Sequence, residues 1–541
     1  MAVLSAGAAP GAHEPRAQEQ QQQQQQQQDA SRDPTARNLG IAMDTVAVGE
    51  HGVSPGFGIA GWATNLGFGI ASACIRAPAA GLEYAAGPNP VSAGLHGVNS
   101  VVGLAHGATR AGQELARGIT QASLQATKAG LTAAGAQGGQ LLQLAVGQEA
   151  ADTVAVIEDM VRSYVEPMSG ISRANLLTAA SAWSVMQRAA GVGAAGSGQA
   201  AALPERSERW MRFAAATFGS TWLAGMVEGL SLGAAARARE ASERGGGPGE
   251  LALAWAGVGG QVEIVEFEQS SKQHFFPGYL VAVDHATGHV VIALRGTSSM
   301  RDMLTDLVCQ PADLELGGVS GIAHSGMLQA ARNIEAKLAA LAEAGLASLA
   351  ATGRKPRLMV IGHSLGAGVA ALVTALWRDQ GRFAGVELGC VAFACPQVLD
   401  QQLSEAVSNF TASILFGDDL VPRFSLATSI DLRAATLHVH SPQAHGLPTT
   451  ALSAQEVLAA AARGDSRQLA EAHAEVRRAI SPAEGRLFPA GRLVYLAGAG
   501  RSPERAEPRA FDELLISATM VSDHMPQRYL QAVMEASAQS S

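Results

Sequence analysis

Residues 357–379 read RLMVIGHSLGAGVAALVTALWRD. Leu358, Met359, Val360 and Ile361 form an apolar run short enough for a buried strand, Gly362-His363-Ser364-Leu365-Gly366 interrupts it, and Ala367 to Trp377 resumes at helical spacing. A strand, a sharp turn and a helix in that order make the G-x-S-x-G segment an elbow. Its serine is held in a strained conformation with the hydroxyl presented at the tip, and a side chain at either flanking glycine would collide with the neighbouring strand and helix. Ser364 is therefore the candidate nucleophile.

A serine hydroxyl attacks well only when a histidine takes its proton, and the histidine needs a carboxylate to fix its tautomer. In hydrolases built on such an elbow these partners follow in the order acid, then histidine. Asp418 and Asp419 stand just past the apolar run Ala412 to Phe416, at the carboxyl end of an expected strand, and spacing does not separate them. Of the downstream histidines, His438 and His440 sit two apart in a strand-like stretch, His445 follows, and His473 falls on a charged, Ala-rich helix with a solvent-facing role. His524 occupies a loop between the run Leu514 to Ile516 and a final helix, the place a late catalytic histidine takes. For the oxyanion, the backbone N–H of Leu365 is one donor, and the turn at Arg295-Gly296-Thr297 can present Thr297 as another.

Outward from the elbow, Val262 to Phe267, Tyr279 to Val283, Val290 to Leu294 and Gly389 to Ala394 read as strands, and Met327 to Ala344 as a helix. Alternation of this kind predicts an α/β fold with a mostly parallel sheet. Helices are expected at Thr153 to Tyr164, Arg173 to Ala190 and Glu208 to Arg239, with a Gly/Ala/Ser-rich linker and domain boundary at 191–202. Two stretches are suited to a lid: Ser298 to Thr305 beside the oxyanion turn, and the long insertion Ser425 to Pro489 with its Ala-rich helical portion from Ala451 to Ile480, the insertion being the better placed for gating.

Residues 1–40 hold a glutamine run in a composition expected to stay disordered, and 41–200 read as an Ala/Gly-rich helical region. Within it, Gly52 to Ile75 carries no charge, and Val98 to Ala133 shows a small-residue stripe suited either to close helix packing or to a lipid surface. The net charge of -9 gives no electrostatic footprint for nucleic acid, which requires a basic face, so no nucleic-acid partner is expected. Cys74, Cys309, Cys390 and Cys395 show no C-x-x-C spacing, and no secretory signal opens the chain, so an intracellular, reducing setting is expected.

Five segments in order, RGTSSMRDMLTDL (295–307), AHSGM (323–327), VIGHSLGAG (360–368), GDDLVPRF (417–424) and MVSDHMPQRY (520–529), make the chain resemble the class 3 lipases, and among them the sn-1-specific diacylglycerol lipases. The likeness covers roughly residues 209–536. It implies an α/β-hydrolase domain over 201–541 and release of a fatty acid from a glycerolipid at a membrane or lipid-droplet surface, without metal or organic cofactor. The family's D-x-V-P-R falls on Asp419 and its D-H-x-P on His524. By the same carry-over Ser364 resembles the nucleophile, and Thr297 with Leu365 the oxyanion hole.

Overall fold

The computed structural model describes residues 173–539, apart from 221–222, 224–231, 260, 270–274, 298–306, 308 and 499–500. The expectations for 1–172, the small-residue stripe among them, and for a lid at 298–305 therefore lie outside the described residues. All described residues belong to one compact unit, Leu141–Ser541.

Nine strands form one sheet: β1 (Gly196–Ala200), β2 (Val262–Glu268), β3 (Tyr279–Asp284), β4 (His289–Leu294), β7 (Arg357–His363), β8 (Glu387–Phe393), β9 (Thr411–Phe416), β10 (Arg492–Leu496) and β11 (Glu504–Ala506), in the order β1-β11-β10-β9-β8-β7-β4-β3-β2. The five central strands β4, β7, β8, β9 and β10 run parallel, and antiparallel strands extend the sheet at both edges. A separate hairpin joins β5 (Pro311–Leu316) to β6 (Val319–His324) through Gly317 and Gly318, both at positive φ.

The sheet is buried on both faces because neighbouring side chains serve different cores. On β4, Val290, Ile292 and Leu294 join one core, while Val291 and Ala293 join the other. The first core is closed by α3 (Ser325–Ala351) and α4 (Leu365–Asp379), through Met327, Leu328, Ile334, Val369 and Leu372. The second is closed by α2 (Ser207–Ala216) and α8 (Pro526–Gln539), through Trp210, Phe213, Tyr529 and Val533. Each fully buried aliphatic side chain contributes about 1.5–3 kcal/mol. This layering around a parallel centre, with the elbow between β7 and α4, is the α/β-hydrolase fold.

Several expectations are corrected. The supposed linker at 191–202 contains β1, which pairs with β11, and α1 (Arg173–Ala189) before it buries Trp183 and Met186 in the first core. Residues 173–200 thus sit in the same compact unit as the sheet. The helix expected over 208–239 is interrupted: α2 ends at Ala216 and Gly219 follows at positive φ, before a second helix at Leu232–Glu243. The stretch 425–489 is the crossover from β9 to β10, built of α5 (Leu426–His440), α6 (Ala454–Ala462) and α7 (Ser466–Ala479), all packed on α1. The helical portion expected from Ala451 to Ile480 consists of α6 and α7, which are separated at Gly464, at a positive φ of 74°. His438 and His440 lie in the last turn of helix α5, started by a Ser425–Thr428 capping box, and not in a strand.

Candidate active site

The carboxyl ends of the parallel strands are level: Leu294 pairs with Gly362, His363 with Phe393, Phe393 with Ile414, and Phe416 with Leu496. The turns that leave these ends carry Thr297, Ser364, Leu365 and Asp419, at the edge where open sheets place their ligands, and His524 is brought to them by the segment that precedes the last helix.

Ser364 takes φ 60° and ψ -134°, a conformation that costs a non-glycine residue about 1–3 kcal/mol. Its N–H donates to Phe393 O at 2.9 Å, which fixes the tip of the turn. A Cβ on Gly362 would overlap the carbonyl oxygen of Gly366, and one on Gly366 would overlap that of Leu294. Both neighbours are backbone, so neither can yield. Leu365 is the first residue of α4, where helix geometry leaves an N–H without an intrahelical acceptor. A Cβ on Gly296 would lie 2.6 Å from His363 O and 3.0 Å from Ser364 Cβ, so the turn holding Thr297 runs directly against the serine.

The three side chains expected to work together are brought together. His524 Nε2 lies 2.9 Å from Ser364 Oγ, and His524 Nδ1 lies 3.0 and 3.1 Å from the two oxygens of Asp419. All three residues are buried. A carboxylate on Nδ1 sets the tautomer with Nε2 as acceptor, so the serine O–H donates to it. Asp418 does not share this position: its backbone N–H instead donates to the Asp523 carboxylate at 3.0 Å.

Further residues brace the set. Tyr529 Oη donates to Asp419 Oδ2 at 2.6 Å and accepts from Phe416 N–H at 3.1 Å, and Val421 N–H donates to Asp419 Oδ1 at 2.9 Å. Burial, and then the Asp419 charge, hold the Tyr529 phenol well above its ordinary range, so it remains a donor. His363 Nε2–H donates to His524 O at 3.0 Å, with the two rings 4.9 Å apart. Burial, and then the nearby His524, keep His363 well below its ordinary pKa, so it stays neutral. Burial raises Asp523, whose carboxylate occupies the space a Cβ on Gly417 would need, and Gly417 accordingly has φ 54°. Arg423, fully buried over the Phe511 ring at 4.9 Å, donates to Ala510 O at 2.8 Å and ties the Asp419 turn to the segment leading to His524.

Sequence reasoning did not single out Tyr529, His363, Asp523 or Gln187. Tyr529 follows His524 by five residues and stands in the first turn of α8, a position a helix start at Pro526 could have suggested. His473 was expected to face solvent and does not: its ring stacks on Trp183 at 4.7 Å and meets Glu513 at 3.0 Å. Its stripe Leu469, Ala472, His473 and Val476 is the buried face of α7. Glu513 titrates below its ordinary value: burial raises it, but His473, Gln187 and Arg477 together outweigh that. Among the described residues, no helix is long and apolar enough to cross a membrane.

Residues 291–429 match the family model for lipase (class 3). Mouse diacylglycerol lipase-beta is 36% identical over 164 residues, 30% of this chain and 24% of its own length. Rat diacylglycerol lipase-alpha is 30% identical over 276 residues, 46% of this chain and 26% of its own. The chain thus spans about a quarter of the length of these relatives. The Rhizomucor miehei triacylglyceride lipase structure aligns at a TM-score of 0.35 with 16% identity, covering 57% of this chain and 87% of that one.

Proposed function

From the premise that this is a class 3 lipase close to the diacylglycerol lipases, we propose that the protein cleaves a fatty-acyl ester of a glycerolipid, diacylglycerol above all, by an acyl-enzyme route. The observation that carries the reading is the unbroken relay Asp419–His524–Ser364 at hydrogen-bond distances, seated on a strained elbow. His524 takes the proton of Ser364 as Oγ attacks the ester carbonyl, and Asp419 holds the imidazolium that results. The leaving glyceride oxygen collects that proton from His524. Water, deprotonated by the same imidazole, then releases the fatty acid. Leu365 N–H at the start of α4 and the Thr297 turn supply the oxyanion site, where one donor is worth roughly a hundred- to a thousandfold in turnover.

The protein works at a membrane or droplet surface, since long-chain glycerolipids do not leave one readily, and residues 52–150 would provide the attachment. Three assays test the reading together. A fluorophosphonate probe should label the full chain and fail on Ser364→Ala, diacylglycerol should be cleaved faster than phosphatidylcholine or triacylglycerol, and the chain should float with liposomes. Preferred cleavage of phospholipid would make it a phospholipase A1, triacylglycerol a general acylglycerol lipase, and absent labelling a non-catalytic lipid-surface protein.

A further inference from the structure

Residues 514–517, which lead towards His524, belong to no helix or strand, so no ladder fixes their backbone. Gln187, in the last turn of α1 and fully buried, does so instead. Its Nε2 donates to Glu513 Oε1 at 2.6 Å and to Leu514 O at 2.9 Å, and its Oε1 accepts from Ile516 N–H at 3.1 Å. The amide has one possible orientation, because carboxylate and carbonyl only accept and the N–H only donates. One side chain thereby pairs with this run as a neighbouring strand would.

Six residues further on, the same segment meets the other half of the relay. A Cβ on Gly193 would come 2.8 Å from Asp418 Oδ1 and 3.5 Å from Leu515 Cδ2. Tyr495 Oη lies 3.0 Å from Gly193 O and 3.2 Å from Gly417 O, and shares its one proton between them. Residues 187–193 therefore touch both the turn that bears Asp419 and the run that leads to His524.

We propose that α1 and the loop after it form a strap that sets the spacing of Asp419 and His524 relative to Ser364, with Gln187 as its positioning residue. The proposal rests on the hydrolase reading above. Gln187 acts through backbone and touches no reacting atom. Loosening the strap lets the His524 loop drift, and misplacement by about 1 Å costs roughly a hundredfold in rate.

The test uses the full chain carrying Gln187→Leu or Gly193→Val and a soluble short-chain ester. Turnover is expressed per site titrated by the fluorophosphonate, so unfolded molecules drop out of the count. Gln187→Leu should lower kcat per titrated site tenfold or more at unchanged KM, and should speed amide exchange over residues 514–524. Gly193→Val, in a half-buried loop, should cost several-fold in kcat with an unchanged thermal midpoint, and decides the matter if Gln187→Leu does not fold. Turnover within twofold of the parent in every folded variant overturns the strap. So does unaltered exchange over 514–524, even where the parent hydrolyses no ester and the hydrolase reading itself has failed.

Discussion

Ser364 is held by backbone that has nowhere else to go, whereas Asp419 and His524 are held by side chains that reach across long stretches of chain. Around the serine, the two glycines abut main-chain atoms within six residues or on the adjoining strand, and the turn is set by sterics. Around the other pair, the fixing groups are Tyr529, Asp523, His363, Arg423 and, through the strap, Gln187, and most of their bonds span about a hundred residues or more. A site can thus be half rigid by local geometry and half assembled by hydrogen bonds. The two halves should fail differently.

The largest effect should come from the chemistry common to both. Ser364→Ala and His524→Ala should each lower turnover on any ester by something near a millionfold, the scale seen when such groups are removed elsewhere. Retained turnover in Ser364→Ala would break the comparison outright.

Next, Asp419→Ala should cost about ten-thousandfold, while Asp418→Ala, whose side chain is outside the relay, should stay within a few-fold. Equal losses would mean that the turn as a whole, and not one carboxylate, is what matters. This pair was also where the sequence was least informative. Spacing left Asp418 and Asp419 equivalent, and only resemblance separated them; the geometry puts Asp419 on His524 and Asp418 on Asp523.

The elbow and the central strands were legible because their causes are local: apolar runs of four to six residues, glycines at fixed offsets, a helix resuming at its own period. Strand β1, with the sequence GSGQA, has no such signal and exists because β11 lies beside it. Likewise nothing near Gln187 announces a partner 326 residues away. The alternation Leu437-His438-Val439-His440 suggested a strand, and the Ser425 cap overrode it.

A smaller effect sharpens the assembled half. Tyr529→Phe removes one donor to a buried carboxylate, a bond worth about 1.5–3 kcal/mol, and should slow turnover by tenfold or more while labelling by fluorophosphonate persists at a reduced rate. An unchanged rate would show that the Val421 N–H alone suffices to hold Asp419.

The last is a pH effect on folding, separate from turnover. Burial lowers His324 to about 4 and holds His363 well below 6.5, so from pH 6.5 downward the unfolded chain binds protons that the folded one refuses. Stability should therefore fall as pH drops below 6.5, with His324 contributing about 1.4 kcal/mol per pH unit towards pH 4 and His363 adding in the same direction. His324→Gln should flatten that slope by one proton in denaturant titrations at pH 7 and 5, and an identical slope would count against a neutral His324.

The pairing of β1 with β11 also bears on how the molecule is made. Gly198 N–H bonds to Glu504 across 306 residues, and closing a loop of that length costs about 5 kcal/mol in chain entropy before any contact repays it. During synthesis β1 therefore waits for β11, while β4, β7 and the elbow can already find one another. Ser364 can sit in its elbow before His524 has been made, and the hydrogen bond between them forms only after another 160 residues have been translated.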